Sequence, residues 1–368
     1  MRFFAFFVCL LISLSLQAKE IRIRLLKNQS RLVLTGQDIK TPVSVDPEER
    51  VEIRLLKGSS GAKLSLWSFN HKKIFGDSLE IEAQLLQYGQ KSLPPKIHIK
   101  SRSNGRFDVL ADLDFEDYIE GVVVGEMPLS WPIESLKAQA VAARTYAYYH
   151  LQNKKYKTFD LDSSQMDQVY RYSESPNDRL SLAIDDTKGL ILKKNNKPLI
   201  GFFHSDCGGG GTDSALSVWN THEEGSSTTT CPFSPGLQWT LQVEAKVLGE
   251  SLGLDSIERI TIEKTSTSGR VFLAEVQDEK GQKKNFSGSE LRSHIGYGKL
   301  KSAAFKVIKA GSLFLFRGQG FGHGVGLCQW GARTMAEKGA TFQQILRHYY
   351  HVEASPETEL AKPILGKL

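Results

Sequence analysis

Residues 114–150 read DFEDYIEGVVVGEMPLSWPIESLKAQAVAARTYAYYH, and this stretch decides the fold class. Ile133, Leu136, Ala140, Ala143 and Ala147 recur at intervals of three and four, the spacing that lines side chains along one face of an α-helix. Ser130 is a candidate N-cap, Pro132 suits the first turn, and Glu134 complements the positive end of the helix dipole. A helix is therefore expected from this point to about His150, and its many alanines imply close packing. Pro128 and Pro132 interrupt any helix arriving from upstream, which places Glu126 in a loop just before the helix N-terminus.

Outward from this helix the pattern changes to strands. Between Ile21 and Lys100 the runs IRIRLLK and VEIRLLKG alternate with period two and are separated by Gly, Pro, Asn and Asp, as small antiparallel strands are. Strand character returns from Leu190 to Phe203, ahead of the glycine-rich loop HSDCGGGGT, and again from Trp239 to Phe316, with a short helix at Leu291. RGQGFGHGVGLCQWGARTMAEKGATFQQILRHYY then gives a glycine-rich loop, a helix over Ala332 to Lys338 with Gly339 as C-cap, and a last helix from Phe342 to Tyr350. The expectation is an α+β fold, a β-rich multi-layer architecture with a few packed helices. Its divisions are a β-rich N-terminal domain over 19–100, a second domain over 101–350 that contains the β-rich segment 239–316, and a loose tail over 351–368.

The 368 residues suffice for two or three units with buried cores. With 40% hydrophobic and 24% charged residues the chain is globular in composition. Residues 1–18 stand apart: Arg2 precedes an apolar run from Phe3 to Leu16, closed by Gln17 and Ala18. The run is shorter than the roughly 20 residues that span a bilayer, so it reads as a signal peptide, with an uncleaved membrane anchor as the alternative. Cys9 lies inside that run rather than at its end, which argues against a lipoprotein anchor. The mature chain is thus expected outside the cytoplasmic membrane, in the periplasm or cell wall, touching membrane only through this segment. Its cysteines would be Cys207, Cys231 and Cys328, an odd number. A net charge of +6 suits contact with an acidic wall polymer or a membrane surface and lacks the dense, clustered charge of a nucleic-acid binder.

Three polar clusters can carry chemistry, and each also has a plain structural reading. Glu126 is either a solvated carboxylate or one partly desolvated by Met127 and Trp131, with a raised pKa that keeps it protonated as an acid. His204, Cys207 and Cys231 suit zinc, whereas a Cys207–Cys231 disulfide, or unconnected thiols, would account for the same cysteines. His323, between Gly322 and Gly324, sits on backbone that a ligand can approach closely, or simply in a turn.

Together these segments resemble the SpoIID/LytB family of peptidoglycan-remodelling proteins, from about Phe107 to Tyr350. The resemblance runs through EDYIEGVVVGEMP, LKAQAVAARTYA, Gln168-Val169-Tyr170, Thr187-Lys188-Gly189, HSDCGG, Ser268-Gly269-Arg270-Val271, Leu291-Arg292, GQGFGHGVGLCQWGA and ILRHYY. It implies a lytic transglycosylase that cuts amidase-denuded glycan strands between MurNAc and GlcNAc to leave 1,6-anhydro ends, in wall remodelling, division or sporulation. The family's catalytic glutamate would be Glu126, with His323, Arg144, Tyr146 and Gln329 contacting substrate. Zinc, associated with some family members, would be structural here, on His204, Cys207 and Cys231. Cys328 departs from the family, which more often has Ser before the Gln. Two other functions compete: a non-catalytic, LytB-like amidase enhancer that binds glycan or a cell-wall amidase, and a hydrolase pairing Glu126 with Asp160 or Asp162.

Overall fold

The computed structural model describes residues 19–41, 48–58, 61–67, 72–175, 177–221 and 228–357. Strand Glu20–Gln29 lies antiparallel to Phe107–Asp114, with Ile21 opposite Leu113 and Ile23 opposite Ala111. Lys96–Ser101 and Ser78–Glu82 extend the sheet on one side, and Leu161–Asp162 adds a short parallel strand on the other. A six-stranded sheet, centred on Glu48–Gly58 and Arg31–Ile39, packs the apolar face of Leu32, Leu34, Val51 and Ile53 into the same core. Each such fully buried side chain contributes about 1.5–3 kcal/mol. The line expected near residue 100 runs through the first sheet, and the core continues from Ile21 to Ala354.

Helix α1 (Phe115–Glu126) starts where the Asp114 carboxylate accepts the Glu116 N–H at 2.8 Å. Pro128 stops it, because the residue before a proline is driven to extended backbone, and Met127 sits at φ −132°, ψ 144°. Glu126 is accordingly the last residue of a helix and not part of a loop leading into the next one. Helix α2 (Ile133–Asn153) begins after Pro132 with no side-chain cap, so Ser130 does not serve as one, and it runs three residues past His150 to an αL cap at Lys154. Its alanine-rich face is buried against α1, helix Gln329–Glu337 and helix Phe342–Tyr350.

The segment 238–319 forms a body with its own core. Sheets of Gln238–Glu244, Leu313–Gln319 and Phe305–Ala310, and of Ile257–Thr265, Val271–Asp278 and Lys283–Phe286, enclose Trp239, Leu248, Val276, Phe314 and Phe316. Arg270 fastens this body to the loop after His204: Nη1 donates to Asp213 Oδ2 at 3.2 Å and to Gly211 O, and Nη2 to Cys207 O. The chain then rejoins the first core, where Leu327–Cys328 pairs in parallel with Phe203–His204.

The helix expected from Ala332 begins earlier, at Gln329, and is capped at Lys338, one residue before Gly339. The last helix spans Phe342–Tyr350, as its periodicity indicates. Part of the stretch read as a loose tail is structured: Ala354–Pro356 pairs with Leu190–Leu192. The segment read as a signal peptide and residues 358–368 lie outside the described residues. Among the described residues, no helix is long and apolar enough to cross a membrane.

Candidate active site

Glu126 is placed by glycine. A Cβ on Gly125 would collide with Val169 O, and one on Gly121 with the Tyr170 ring, so only this flat helix face lets the 168–172 segment lie against α1. That close approach brings the Val169 N–H to 2.7 Å from Glu126 Oε1. The other oxygen, Oε2, accepts from the Gln329 amide at 3.2 Å, and the same amide reaches Gln139 Oε1 at 3.4 Å. Burial raises the carboxyl's pKa above its ordinary 4.5, opposed by the lowering pull of Val169 N–H, Gln329 and the more distant charge of Arg171. No ion pair neutralises Glu126 among the described residues. The group can therefore hold a proton where an ordinary carboxyl has lost it, and can receive one back from a bound molecule.

The carboxyl opens onto a cleft of about 470 Å³. One wall is helical and carries Glu126, Tyr146 and Gln329; another is supplied by Ser289, Arg292 and Tyr297 of the β-rich body. His204 and His323 line the floor with their rings 5.5 Å apart. Gly322 at φ +113° and Gly324 at φ +80° hold the His323 backbone in a turn that side-chain-bearing residues resist. His323 Nδ1 accepts the Val325 N–H at 3.1 Å, which leaves the proton of the neutral ring on Nε2. Burial, the neighbouring His204 and Arg292 keep His323 neutral, its pKa well below the ordinary 6.5.

Of the residues expected to contact substrate, Tyr146, Gln329 and His323 reach the cleft. Arg144 does not: it is fully buried, its guanidinium paired with Glu116 at 2.7 Å and donating to Leu190 O. An arginine inside an alanine-lined helix bundle needs such a partner, so its charge is structural. Asp160 and Asp162 are absent from the cleft as well, since Asp160 accepts the Arg22 N–H and Asp162 pairs with Arg24 at 2.6 Å. Asp167 does line it, but its carboxylate is engaged by Tyr146 Oη, Lys155 and the Asp162 N–H. Arg292 was legible in its motif but carried no role.

The expected metal ligands divide. Cys207 and Cys231 are joined by Cys328, and the three sulfur atoms lie within 4.8 Å of one another, all buried, close enough to hold a metal. All three are free thiols. His204 stands apart from the group: its Nδ1 faces Val325 O at 3.2 Å and its Nε2 is buried without a partner. Burial lowers its pKa to about 4. The substitution has a topological cause, because pairing Phe203–His204 with Leu327–Cys328 draws the third thiol to Cys207, whose N–H donates to Cys328 Sγ at 3.3 Å. The Gly331 N–H donates to the same sulfur. Hydrogen bonds from its two neighbours lower the Cys207 pKa, while Cys231 is pushed up to about 12 by its bond to Cys207.

Residues 103–193 match the family model for stage II sporulation protein, and residues 235–326 match a domain of unknown function (DUF8618). The second match coincides with the β-rich body. The chain is 33% identical to an uncharacterized protein of Brachyspira hyodysenteriae, over 67% of this chain and 68% of that one. It is 30% identical to stage II sporulation protein D of Bacillus amyloliquefaciens, over 71% of this chain and 78% of that protein. Similarity to the amidase enhancer of Bacillus subtilis, at 31% identity, spans 63% of this chain and 39% of the larger protein. Matched over 71% of its length by a stage II sporulation protein D and by the family model across the segment that carries Glu126, the chain belongs to the stage II sporulation protein D (SpoIID) family.

Proposed function

We propose that the protein acts outside the cytoplasmic membrane as a lytic transglycosylase on peptidoglycan glycan strands, with Glu126 as acid and then base. The observation that carries this reading is that, among the described residues, the cleft holds a single available carboxyl, half-buried, raised in pKa and held by neutral donors. A hydrolase working by two carboxylates needs a second one, and Asp167 is already engaged by three donors. In the proposed reaction the Glu126 carboxyl gives its proton to the glycosidic oxygen as the bond from MurNAc C1 to that oxygen breaks. The MurNAc 6-hydroxyl oxygen bonds to C1, and its proton returns to Glu126. No water is consumed, and one carboxyl completes the cycle. Val169 N–H and the Gln329 amide hold the two oxygens in place through both steps, while His323 and Tyr146 border the sugar site.

The three thiols fit zinc. Zn–S bonds of about 2.3 Å at tetrahedral angles separate sulfurs by about 3.8 Å, so small side-chain movements would close the set around an ion. Cys207, Cys231 and Cys328 would hold it behind the floor of the cleft in a structural role, with His204 outside the set. Binding of about one zinc per chain, lost in Cys328→Ser together with part of the thermal stability, is the expected result of metal analysis.

Digestion of purified, amidase-treated sacculi tests the main reading. Anhydro-ended muropeptide-free fragments are expected. Reducing ends would overturn it in favour of hydrolysis, and intact strands in favour of an amidase-enhancing role of the kind named for the Bacillus subtilis relative.

A further inference from the structure

The β-rich wall presents a buried charge that this chemistry does not use. Arg292, on helix Gly288–Ile295, is only 5% exposed yet borders the cleft. Its Nε donates to Leu300 O at 3.1 Å and its Nη2 to Lys301 O at 3.0 Å, which fixes the plane of the guanidinium. The Tyr297 ring lies 5.1 Å away. Nη1 makes no hydrogen bond to a described residue, and among the described residues no carboxylate pairs with the group. Burial lowers the pKa to about 10, so the side chain remains a cation at neutral pH. Among the described residues, it is the one lysine or arginine on the cleft wall.

An enclosed cation without a counter-anion is costly, and the planar fork of arginine matches the geometry of a carboxylate, the acidic group that a muramic acid carries. Both histidines of the floor are held neutral, so Arg292 has no competitor for an incoming negative charge. Asp167, the carboxylate that could satisfy it from within, is held by Tyr146 and Lys155 instead.

We propose that Arg292 binds the lactyl carboxylate of a muramic acid residue and thereby distinguishes glycan whose stem peptides have been removed from glycan that still carries them. The inference rests on the glycan reading above. In a peptide-bearing strand that carboxyl is an amide, with no charge to pair and a chain attached, so the charge-assisted bond is lost and the cation stays uncompensated.

Binding of three tetrasaccharides to the Glu126→Gln protein tests it. The first is a GlcNAc-MurNAc repeat with free lactyl acids, the second the same repeat with lactyl carboxamides, and the third a GlcNAc tetramer without lactyl groups. The free acid should bind about 10- to 100-fold tighter than the carboxamide. Adding Arg292→Gln should bring the acid to the level of the carboxamide and leave the GlcNAc tetramer within about twofold, while Arg292→Lys, which keeps the charge and loses the fork, should restore part of the preference. An equal affinity for acid and carboxamide in the Glu126→Gln protein overturns the inference and needs no folded Arg292 variant. A preference that survives Arg292→Gln overturns it too. Failure of all three sugars to bind would remove the glycan reading along with it.

Discussion

The helical wall and the β-rich wall of the cleft handle buried charge in two ways. Away from the cleft, buried arginines carry their own counter-ions: Arg144 has Glu116 within the helical core, and Arg270 has Asp213 where the β-rich body is anchored. At the cleft, Glu126 on one wall is held by neutral donors and Arg292 on the other by neutral acceptors, and neither has an ion-pair partner among the described residues. Leaving such groups uncompensated is unfavourable for folding, and under the proposed function these are the two charges that a ligand meets.

The largest effect expected from breaking this contrast is catalytic. Glu126→Gln should fold and lower the release of anhydro-ended products by about a hundredfold to ten-thousandfold, measured by chromatography of digests. Near-parental turnover would show that the unpaired carboxyl is not the acid.

Among the paired charges, the exposure of the abandoned partner should set the size of the loss. Arg270→Met leaves Asp213 fully buried and should cost about 3–5 kcal/mol. Arg144→Met leaves Glu116 with its side chain 20% exposed and should fall near the lower end, about 3 kcal/mol. Urea unfolding of both would check the order, and the reverse order would mean that packing rather than charge dominates.

A smaller effect isolates the close approach that sets Glu126. Gly125→Ala must push the 168–172 segment off α1, for about 1–3 kcal/mol of stability and a loss of cleavage. Gly298→Ala in the β-rich body meets nothing within 4 Å and should stay within about 0.5 kcal/mol in the same assay.

The smallest concerns pH. Glu126 has a folded pKa above its ordinary 4.5, so the folded state holds this proton more tightly than the unfolded chain, and stability falls as pH rises from 4.5 through the raised value. Glu126→Gln lacks that ionisation. It should melt above the parent at neutral pH, and the gap should close as pH falls toward 4.5. A gap independent of pH would mean the variant stabilises by some other route.

The candidate site was only partly legible in the sequence. Glu126 and His323 stand out locally, between glycines and prolines that give their backbone a specific shape. Arg144 and Arg292 are both arginines on helices, and nothing in their neighbours along the chain says that one meets Glu116 and the other borders the cleft without a carboxylate partner among the described residues. Their difference lies entirely in what the fold sets against them.

Local pattern was enough for the α+β class, for helix α2, for the final helix Phe342–Tyr350 and for the alternating strands of the N-terminal sheets, because helix and strand periodicity and caps act over a few residues. The end of α1 at Glu126 escaped that reading, since Pro128 limits where a helix stops without saying that it runs up to the preceding residues. Tertiary structure alone decided the rest. Cys328 replaces His204 beside Cys207 and Cys231 because two short strands far apart in sequence, Phe203–His204 and Leu327–Cys328, pair in parallel. The carboxyl and the guanidinium face one cleft because the β-rich body is docked by Arg270. Such juxtapositions depend on long-range packing, which no spacing along the chain encodes.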